Sequence, residues 1–398
     1  MPSLDRRTFL ASTGAAGAAL LAGCPGLAPA GPTAYRSYGY DAHNRGVPDS
    51  GAGPGESVEP AWRLEEATFP QTPAVVDGQV FVSTDRGQGS VVVGLGAESG
   101  DENWEYDAGA PVGRWSPALE DGTLYFVDIQ GRAHAVATDD GSPKWRRDLP
   151  RELRPAGAPL VTDGALVFGL GALPLFQFGG LYALETADGS TRWHRGPDAA
   201  GGGSNTPAYP AAERGTVYYA ALPAGGDEGR GSVVAVSAAD GEPEWTERVG
   251  ERAVYAGAAV TDDRLYLGGT QGGLALDRED RSVVWRSPRS YLFTPPTVGE
   301  RAYVGRVGES GIGLRALDRD GEELWRHVLE GLAGSPGPAT AADGVVYYGA
   351  GDGRLYALDA ESGQRRWRYG EELTAFWTPA VVDGAVYVAS GRGLVALR

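Results

Sequence analysis

The sequence predicts an all-β fold, an eight-bladed β-propeller built from four-stranded antiparallel blades. Three observations predict it. The 398-residue chain is rich in residues that favour strands and turns, with 62 Gly, 27 Pro, 18 Tyr and 10 Trp, and shows no evident long amphipathic helix. A hairpin signature recurs along most of the chain, and a tryptophan follows nearly every copy. Periods of this length are typical of propeller blades.

The hairpin signature consists of an apolar strand, a turn resembling Asp-Gly, and a second apolar strand. Its clearest copy is residues 378–388, which read TPAVVDGAVYV. An Asp-Gly pair between two apolar runs is a strong hairpin signal. The other copies begin at Thr72, Ser116, Ala158 and Thr206, with more divergent ones near Gly257, Thr294 and Gly337.

Every copy but the last continues into a third strand and then a fourth strand that carries a tryptophan. Successive tryptophans stand 40 to 52 residues apart. The last copy stops at Arg398 after three strands, whereas Trp62 precedes the first copy. We therefore expect the strand around Trp62 to complete the last blade, which gives eight blades and a closed ring without an open edge. The remaining members of the series are Trp104, Trp145, Trp193, Trp245, Trp285, Trp325 and Trp367.

The third and fourth strands share an Ala, Gly and Trp spacing that resembles the tryptophan-docking motif of the pyrroloquinoline quinone (PQQ) repeat family. The resemblance covers nearly all of the chain after residue 60. It weakens at Gly94, where Ala is expected, at Arg281, where Gly is expected, and between Ala316 and Trp325, where the spacing is short. It implies that the eight tryptophans are structural and pack between neighbouring blades. The complete matches are Ala135-Gly141-Trp145, Ala183-Gly189-Trp193, Ala235-Gly241-Trp245 and Ala357-Gly363-Trp367.

The formal net charge of −17 argues against a nucleic-acid partner, because the field of the protein would repel phosphates. Lys144 is the only lysine, and the acidic residues are spread through the loops. This pattern resembles proteins from salt-loving archaea, where salt at 1 M screens charges over about 3 Å. An ordinary acidic protein from a GC-rich genome is the alternative interpretation.

The first 23 residues predict an export signal. Arg6 and Arg7 precede an uncharged Ala, Gly and Leu stretch, as in twin-arginine signals. That stretch is too short for a comfortable transmembrane helix. Cys24 follows Leu-Ala-Gly, the position at which a lipoprotein signal places its lipidated cysteine, and no second cysteine is present. We expect residues 1–23 to be the signal, 24–55 a Pro/Gly/Ala-rich tether and 56–398 the propeller.

No catalytic constellation is evident in the sequence. The resemblance implies that a quinoprotein dehydrogenase would hold PQQ with a pair of adjacent cysteines and Ca²⁺ with Glu, Asn and Asp. This chain lacks the cysteine pair and has only three asparagines. We therefore expect no cofactor and no metal site, with PQQ and calcium implied only if the protein is an enzyme. The four histidines lack the close spacing of metal ligands and are His43, His134, His194 and His327.

A second set of residues stands just before the hairpin copies, where the chain returns from an outer strand to the next inner strand. In propellers of the PQQ repeat family this position lies near one mouth of the central channel. We expect a ring there that stacks on a flat ligand, a sugar or a peptide loop, although the side chains could simply plug the channel. Asn205 could equally be a turn residue. The ring consists of Trp115, Trp377, Phe293, Asn205 and Gln71.

Two functions remain open at this point. The first is a monomeric, lipid-anchored binding or scaffolding propeller on the outer face of the cell membrane, with other extracytoplasmic or membrane proteins as partners. Its architecture resembles the propeller lipoprotein of the bacterial outer-membrane assembly machinery. The second is a PQQ-dependent dehydrogenase of alcohols or sugars with a degenerate site. The excursions Leu170 to Gly180 and Pro223 to Gly231 are predicted to be loops that could carry specificity.

Overall fold

The computed structural model divides the chain into two units, Met1–Gly31 and Pro32–Arg398, and all described residues belong to the second. No helix among them is long and apolar enough to cross a membrane. The described residues are 34–37, 39–48, 53–65, 72–86, 89–112, 116–150, 153–155, 157–172, 177–196, 209–221, 231–250, 255–269, 272–287, 296–308, 311–331, 336–370, 378–391 and 393–398.

Strands account for the regular structure of the described residues. In chain order they are β1 (Ala34–Tyr35), β2 (Pro60–Leu64), β3 (Ala74–Val76), β4 (Gln79–Asp85), β5 (Ser90–Gly96), β6 (Glu102–Asp107), β7 (Ala118–Glu120), β8 (Thr123–Val127), β9 (Arg132–Ala137), β10 (Pro143–Asp148), β11 (Leu153–Pro155), β12 (Leu160–Thr162), β13 (Ala165–Ala172), β14 (Gln177–Glu185), β15 (Thr191–Arg195), β16 (Ala211–Glu213), β17 (Thr216–Ala221), β18 (Gly231–Ser237), β19 (Pro243–Gly250), β20 (Tyr255–Val260), β21 (Arg264–Gly269), β22 (Gly272–Asp277), β23 (Val283–Arg286), β24 (Thr297–Val298), β25 (Ala302–Gly308), β26 (Gly311–Leu317), β27 (Glu323–Glu330), β28 (Ala339–Ala342), β29 (Val345–Gly349), β30 (Leu355–Asp359), β31 (Arg365–Tyr369), β32 (Ala380–Val382), β33 (Ala385–Ser390) and β34 (Gly393–Leu397).

The strands form eight antiparallel sheets arranged as the blades of a ring, so the predicted eight-bladed propeller is confirmed. Blade 1 contains β3–β6, blade 2 β7–β10, blade 3 β11–β15, blade 4 β16–β19, blade 5 β20–β23, blade 6 β24–β27, blade 7 β28–β31, and blade 8 β32–β34 with β2. The first strand of each blade is innermost and the fourth is outermost. A separate hydrophobic cluster fills each of the eight interfaces between adjacent blades.

Blade 8 closes the ring as the sequence predicted. Strand β2 pairs antiparallel with β34, and Trp62 lies opposite Ala396 although the two residues come from opposite ends of the propeller sequence. Tyr387 of β33 packs against the Trp62 ring with 5.9 Å between centroids. The outer strand and the three inner strands of this blade therefore tie the two ends of the propeller together.

The turns between first and second strands explain the repeated Asp-Gly pairs. Asp77, Asp163 and Asp383 each have a φ between 48° and 49°, and the glycine that follows each one also has a positive φ. Tight hairpins of this kind need left-handed backbone at both central positions, which Asp tolerates and Gly adopts freely. The backbone conformation of the turns therefore explains why these positions are aspartates. Their charge is an additional property of the surface that the turns form.

Two predictions about connecting segments are wrong. Part of the predicted tether 24–55 is instead packed inside the ring, where β1 pairs with β3 of blade 1. The excursion from Leu170 to Gly180 was predicted to be a loop, but its two sides extend the hairpin, and Ala172 pairs with Gln177. Backbone pairing holds both segments, and composition alone does not reveal such pairing. Residues 222–230, which cover most of the second excursion, lie outside the described residues.

Candidate functional site

Each blade-docking tryptophan reaches across to the next blade. In blade 2, Trp145 lies opposite the small residue Ala135 on the neighbouring strand. The indole nitrogen of Trp104 donates to the carbonyl oxygen of Thr138 at 2.8 Å. A Cβ on Gly141, three residues further on, would lie 2.6 Å from the Trp104 ring, so glycine is required there. The same relationship joins Trp62 to Gly100, Trp145 to Gly189, Trp193 to Gly241 and Trp325 to Gly363.

The departures from the repeat motif have visible physical consequences. Gly94 replaces Ala because a Cβ there would lie 2.5 Å from Nε1 of Trp104. The short spacing after Ala316 shortens the turn that faces Trp285, whose buried indole nitrogen has no hydrogen-bond partner. Arg281 replaces glycine at a φ of 64°, and its guanidinium lies 6.0 Å from the centroid of the Trp245 ring.

Residues 34–48, which we call the channel belt, run around the inside of the ring. Their described part follows the ends of the innermost strands. Blades 2, 4, 5, 6 and 7 each donate one backbone N–H to it, from a residue one or two positions before the first turn of the blade. The Tyr35 side chain is fully buried among residues of blades 1 and 8. The belt thus fills one end of the channel. The donor and acceptor pairs are Leu119 to Arg36, Ala212 to Ala42, Val260 to His43, Val298 to Arg45 and Ala341 to Gly46.

A small polar cluster within the channel belt centres on Asp41. Its carboxylate accepts hydrogen bonds from Nδ1 of His43 at 3.0 Å and from Arg45 at 3.2 Å. Burial raises the pKa of Asp41, but these two partners outweigh it and hold that pKa below its usual range. The hydrogen bond to Asp41 raises the pKa of His43, against a smaller opposing effect of burial. The cluster folds the belt onto itself and also lines a cavity of about 190 Å³ beside blades 2 and 3.

The ring has two distinct faces. The turn face carries two turns of each blade, the turn between the first and second strands and the turn between the third and fourth strands. These two turns are hydrogen-bonded to each other, and in blade 2 the Thr138 N–H donates to the Gly122 carbonyl at 3.1 Å. The connection face carries the turns between second and third strands and the segments that lead to the next blade, as Ile129 N–H to the Pro111 carbonyl at 2.8 Å shows. The channel belt lies at the turn face. Burial and the neighbouring Asp121 raise the pKa of Glu120 there.

A buried polar network joins blades 1 and 2 at the connection face. Asp128, in the turn after β8, accepts hydrogen bonds from Arg132 at 2.5 Å and from Nε2 of His134 at 3.2 Å. The other ring nitrogen of His134 lies 3.1 Å from the Tyr106 hydroxyl of blade 1. Burial raises the pKa of Asp128, but the His134 and Arg132 bonds outweigh it and lower that pKa. Its carboxylate also accepts the backbone N–H of Gln130, which fixes the shape of the turn.

A second network joins blades 6 and 7 with the histidine and tyrosine exchanged. His327 stands two residues after its tryptophan, as Tyr106 does, and its Nδ1 lies 2.7 Å from the Tyr348 hydroxyl. Tyr356 stands one residue before its motif alanine, as His134 does, and donates to Asp352 at 2.5 Å. Sequence spacing hid both networks because their members lie on different strands. The two positions relative to the docking motif are the signal that could have found them.

The predicted channel-mouth ring lies outside the described residues, as do Cys24, Arg6 and Arg7. The residues that follow three of its members are described and buried, namely Thr72, Ser116 and Thr378. They stand at the start of innermost strands, which places this part of the chain at the connection face. The hydroxyls of Thr72 and Thr378, in the adjacent blades 1 and 8, are buried without a hydrogen-bond partner. Ring members outside the described residues are Trp115, Trp377, Phe293, Asn205 and Gln71.

The side chains that could ligate a metal are considered for the described residues alone. No three His, Cys, Asp or Glu side chains come together there as a metal site requires. The acidic groups nearest the channel are engaged in holding the fold, as Asp41 is by His43 and Arg45.

A cleft of about 520 Å³ lies on the turn face between blades 6 and 7. Arg301 donates to the carbonyl of Ala360 at 2.6 Å, and Arg366 donates to Asp359 at 2.8 Å. The Arg366 bond, with those from Ser362, holds the pKa of Asp359 far below its usual range. Both arginines in the cleft thus hold neighbouring groups of blade 7.

These observations define a class of protein, the eight-bladed propellers whose blades are locked by a tryptophan docked on the next blade. Residues 56–225 and 310–398 match the family described as "Outer membrane protein assembly factor BamB". The two segments cover more than half of the chain, and the chain belongs to this family.

The curated relatives include several proteins named Outer membrane protein assembly factor BamB. The Salmonella typhimurium protein is 25% identical over 346 residues, which cover 81% of this chain and 82% of the relative. The Burkholderia pseudomallei protein is 29% identical over 169 residues, which cover 40% of this chain and 43% of the relative. In the second case the chain thus aligns with less than half of the relative's length.

Many solved structures share the fold, among them an enzyme and an assembly factor. A europium-containing methanol dehydrogenase superposes with a TM-score of 0.74 at 13% identity, covering 90% of this chain and 89% of that one. BamB from Moraxella catarrhalis superposes with a TM-score of 0.65 at 18% identity, covering 86% of this chain and 97% of that one. At these identities the likeness shows the fold alone, and it includes both an enzyme and an assembly factor.

Proposed function

We propose that this protein is a non-catalytic binding or scaffolding propeller, anchored through lipid on Cys24 to the outer face of the cell membrane after twin-arginine export. Membership of the assembly-factor family supports a binding role. The arginine pair, the apolar run and the single cysteine after Leu-Ala-Gly support export and anchoring. Its partners are other extracytoplasmic or membrane proteins.

The observation that carries the binding role is a pair of braced turns at the connection face, those of Asp128 and Asp352. In the first turn, His134 bonds both Asp128 and Tyr106 of blade 1. In the second turn, Tyr356 donates to Asp352 and its ring lies 5.4 Å from that of His327 of blade 6. The Asp128 carboxylate accepts the N–H of Gln130, and the turn presents Ile129, whose surface is 43% exposed. A preformed surface loses little entropy when it binds, which favours recognition of a folded partner.

Site-specific photo-crosslinking in the native membrane tests this role. A photoreactive amino acid in place of Ile129 is expected to give one discrete protein adduct, and excess soluble propeller should compete it away. Leu324 provides the matched control, because it is 47% exposed but lies beside the turn face at the start of β27. Equal labelling from both positions, or none from either, would argue against a binding surface at the connection face.

Anchoring is tested separately by membrane fractionation. The Cys24→Ser protein is expected to move from the membrane fraction to the soluble fraction, because Cys24 is the only cysteine that can carry lipid. Retention of this variant in the membrane fraction would contradict the anchor.

The alternative function is a PQQ-dependent dehydrogenase of alcohols or sugars. One observation favours it, the pair of buried hydroxyls on Thr72 and Thr378 that lack hydrogen-bond partners beside the predicted channel-mouth ring. Buried polar groups are usually satisfied, so these two could serve a bound ligand. Cofactor titration separates the two functions.

A further inference from the structure

An arginine with an unpartnered guanidinium nitrogen is buried between blades 5 and 6. Arg315 lies on β26, and its side chain is 7% exposed. It pairs with Val304 of β25, and Val304 and Leu317 both belong to the hydrophobic cluster that contains Trp285 of blade 5. Since side chains two residues apart on a strand share a face, Arg315 also faces blade 5. Its Nε atom is buried and has no hydrogen-bond partner.

The position of Arg315, one residue before the motif alanine, holds a packed ring in blades 2 and 7. His134 and Tyr356 stand there, and each ring lies against a ring of the preceding blade that follows the docking tryptophan by two residues. In blade 5 that second position is Ser287, whose hydroxyl accepts the N–H of Gly273 within its own blade at 2.7 Å. Blade 5 therefore presents no ring to Arg315 at this position.

Positive charge is concentrated around Arg315. Burial lowers its pKa, Glu323 opposes this effect, and the guanidinium groups of Arg306 on β25 and Arg326 on β27 lower that pKa further. The Glu323 carboxylate lies 3.1 Å from Nε of Arg326 but 3.9 Å from Nη1 of Arg315, which is beyond hydrogen-bond distance. These groups thus comprise three guanidinium groups and one carboxylate, in a protein with a net charge of −17.

The chemistry of the guanidinium group indicates what it would bind. A buried charge is costly unless it is paired and hydrogen-bonded. A guanidinium presents planar, parallel N–H donors that match two oxygens of a carboxylate or a phosphate. Arg326 and Glu323 lie on β27, the outermost strand of blade 6, and the Arg326 side chain is 61% exposed. A small anion can therefore approach Arg315 from the rim of the ring.

We propose that Arg315, with Arg306 and Arg326, binds a small free oxyanion, a carboxylate or a phosphate, between blades 5 and 6. Glu323, which holds Arg326, competes with this ligand for the same donors. The site belongs to the rim rather than to the central channel, and it is independent of both the proposed scaffolding function and the alternative enzyme.

Thermal unfolding of the purified protein tests the site, with acetate or phosphate replacing chloride at constant ionic strength. An anion that binds only the folded state raises the unfolding midpoint, by about 2 °C at about ten times its dissociation constant. Arg315→Met is expected to abolish this rise. Arg192→Met is the matched control and should retain it, because the two oxygens of Glu185 already accept from Arg192 at 2.8 and 2.6 Å.

Glu323→Gln provides a second test that does not depend on how Arg315→Met folds. It removes the competing carboxylate at a side chain that is 32% exposed, so the rise with acetate or phosphate should be larger than in the native protein. Equal rises in the native and Arg315→Met proteins would show a general effect of these anions and overturn the site. The absence of any rise, or no larger a rise in Glu323→Gln, would also overturn it.

Discussion

The indole nitrogen of Trp367 donates a hydrogen bond of 3.0 Å to the carbonyl oxygen of Gly55. In five other blades the matching indole bonds to a carbonyl in the third turn of the next blade, but blade 8 ends at Arg398 before such a turn. Gly55 supplies the missing acceptor from the other end of the propeller. The segment just before β2 is therefore part of the docking ring.

The channel belt should contribute strongly to stability. Tyr35→Ala in the unit Pro32–Arg398 is expected to lower the free energy of unfolding by about 3 to 5 kcal/mol, because a large buried ring is lost. The measurement is urea unfolding followed by tryptophan fluorescence. Arg36→Ala is the matched control: its side chain is exposed and its belt contact uses the backbone, so a change within about 0.5 kcal/mol is expected. Equal effects of the two variants would show that the belt does not stabilise the ring.

Substitution by alanine should destabilise the protein more at a docking glycine than at another glycine with the same backbone φ. Gly141→Ala and Gly78→Ala both place a side chain at a φ of 71°. Only Gly141 faces a tryptophan ring, since a Cβ at Gly78 meets nothing within 4 Å. We expect about 1 kcal/mol of destabilisation at Gly78 from backbone strain, and about 1 to 3 kcal/mol more at Gly141 from overpacking. Equal losses in thermal unfolding would mean that the Trp104 contact is unimportant.

A hydrogen-bonded indole such as that of Trp104 should contribute more to stability than the indole of Trp285, which has no hydrogen-bond partner. Trp104→Phe breaks the bond to Thr138 and leaves a buried carbonyl with one partner fewer, whereas Trp285 has no such bond to lose. The Trp104 variant is therefore expected to be less stable than Trp285→Phe by about 1 to 2 kcal/mol. Denaturant midpoints of the two variants provide the comparison. A larger loss for Trp285→Phe would contradict the role assigned to the bond.

His43 and His327 should make the free energy of unfolding depend on pH in opposite directions. The pKa of His43 is raised above 6.5 by its bond to Asp41, so its stabilising effect is complete below pH 6.5 and is lost as pH rises through the raised value. The pKa of His327 is lowered by burial and by Arg365, so its effect is present above pH 6.5 and is lost as pH falls through the lowered value.

Unfolding midpoints over a pH series, compared between the native protein and His43→Gln or His327→Gln, test both signs. The difference for His43→Gln should be largest in mildly acidic solution. The difference for His327→Gln should be largest near neutrality. The same trend for both variants would contradict the partners assigned to one of them.

The fold was predictable because most blades repeat the same turn residues and the same docking motif. Asp-Gly turns fix the hairpins, and the docking motif fixes how one blade meets the next, as in Ala135, Gly141 and Trp145. Even the closure through Trp62 followed from counting strands. The departures at Gly94 and Arg281 were visible in sequence, but only the position of the adjacent indole explains them.

The channel belt could not be predicted from composition. Residues 34–48 lie within the segment 24–55, which as a whole is rich in Pro, Gly and Ala, yet backbone groups of the ring hold them, and a side-chain pattern does not encode such bonds. Tyr35 and Tyr40, buried aromatic residues within a supposed tether, were the available signal. The polar networks escaped notice for another reason, because His134 and Tyr106 are 28 residues apart.

The most direct test of the central claim is a calorimetric titration of PQQ with Ca²⁺ into the unit Pro32–Arg398, with the channel belt retained, followed by an assay of alcohol-dependent dye reduction. A binding propeller is expected to show no saturable cofactor binding and no PQQ-dependent reduction, at low or high salt. Saturable binding that is lost in Trp377→Ala, together with PQQ-dependent oxidation of an alcohol or a sugar, would contradict the account and establish the enzyme.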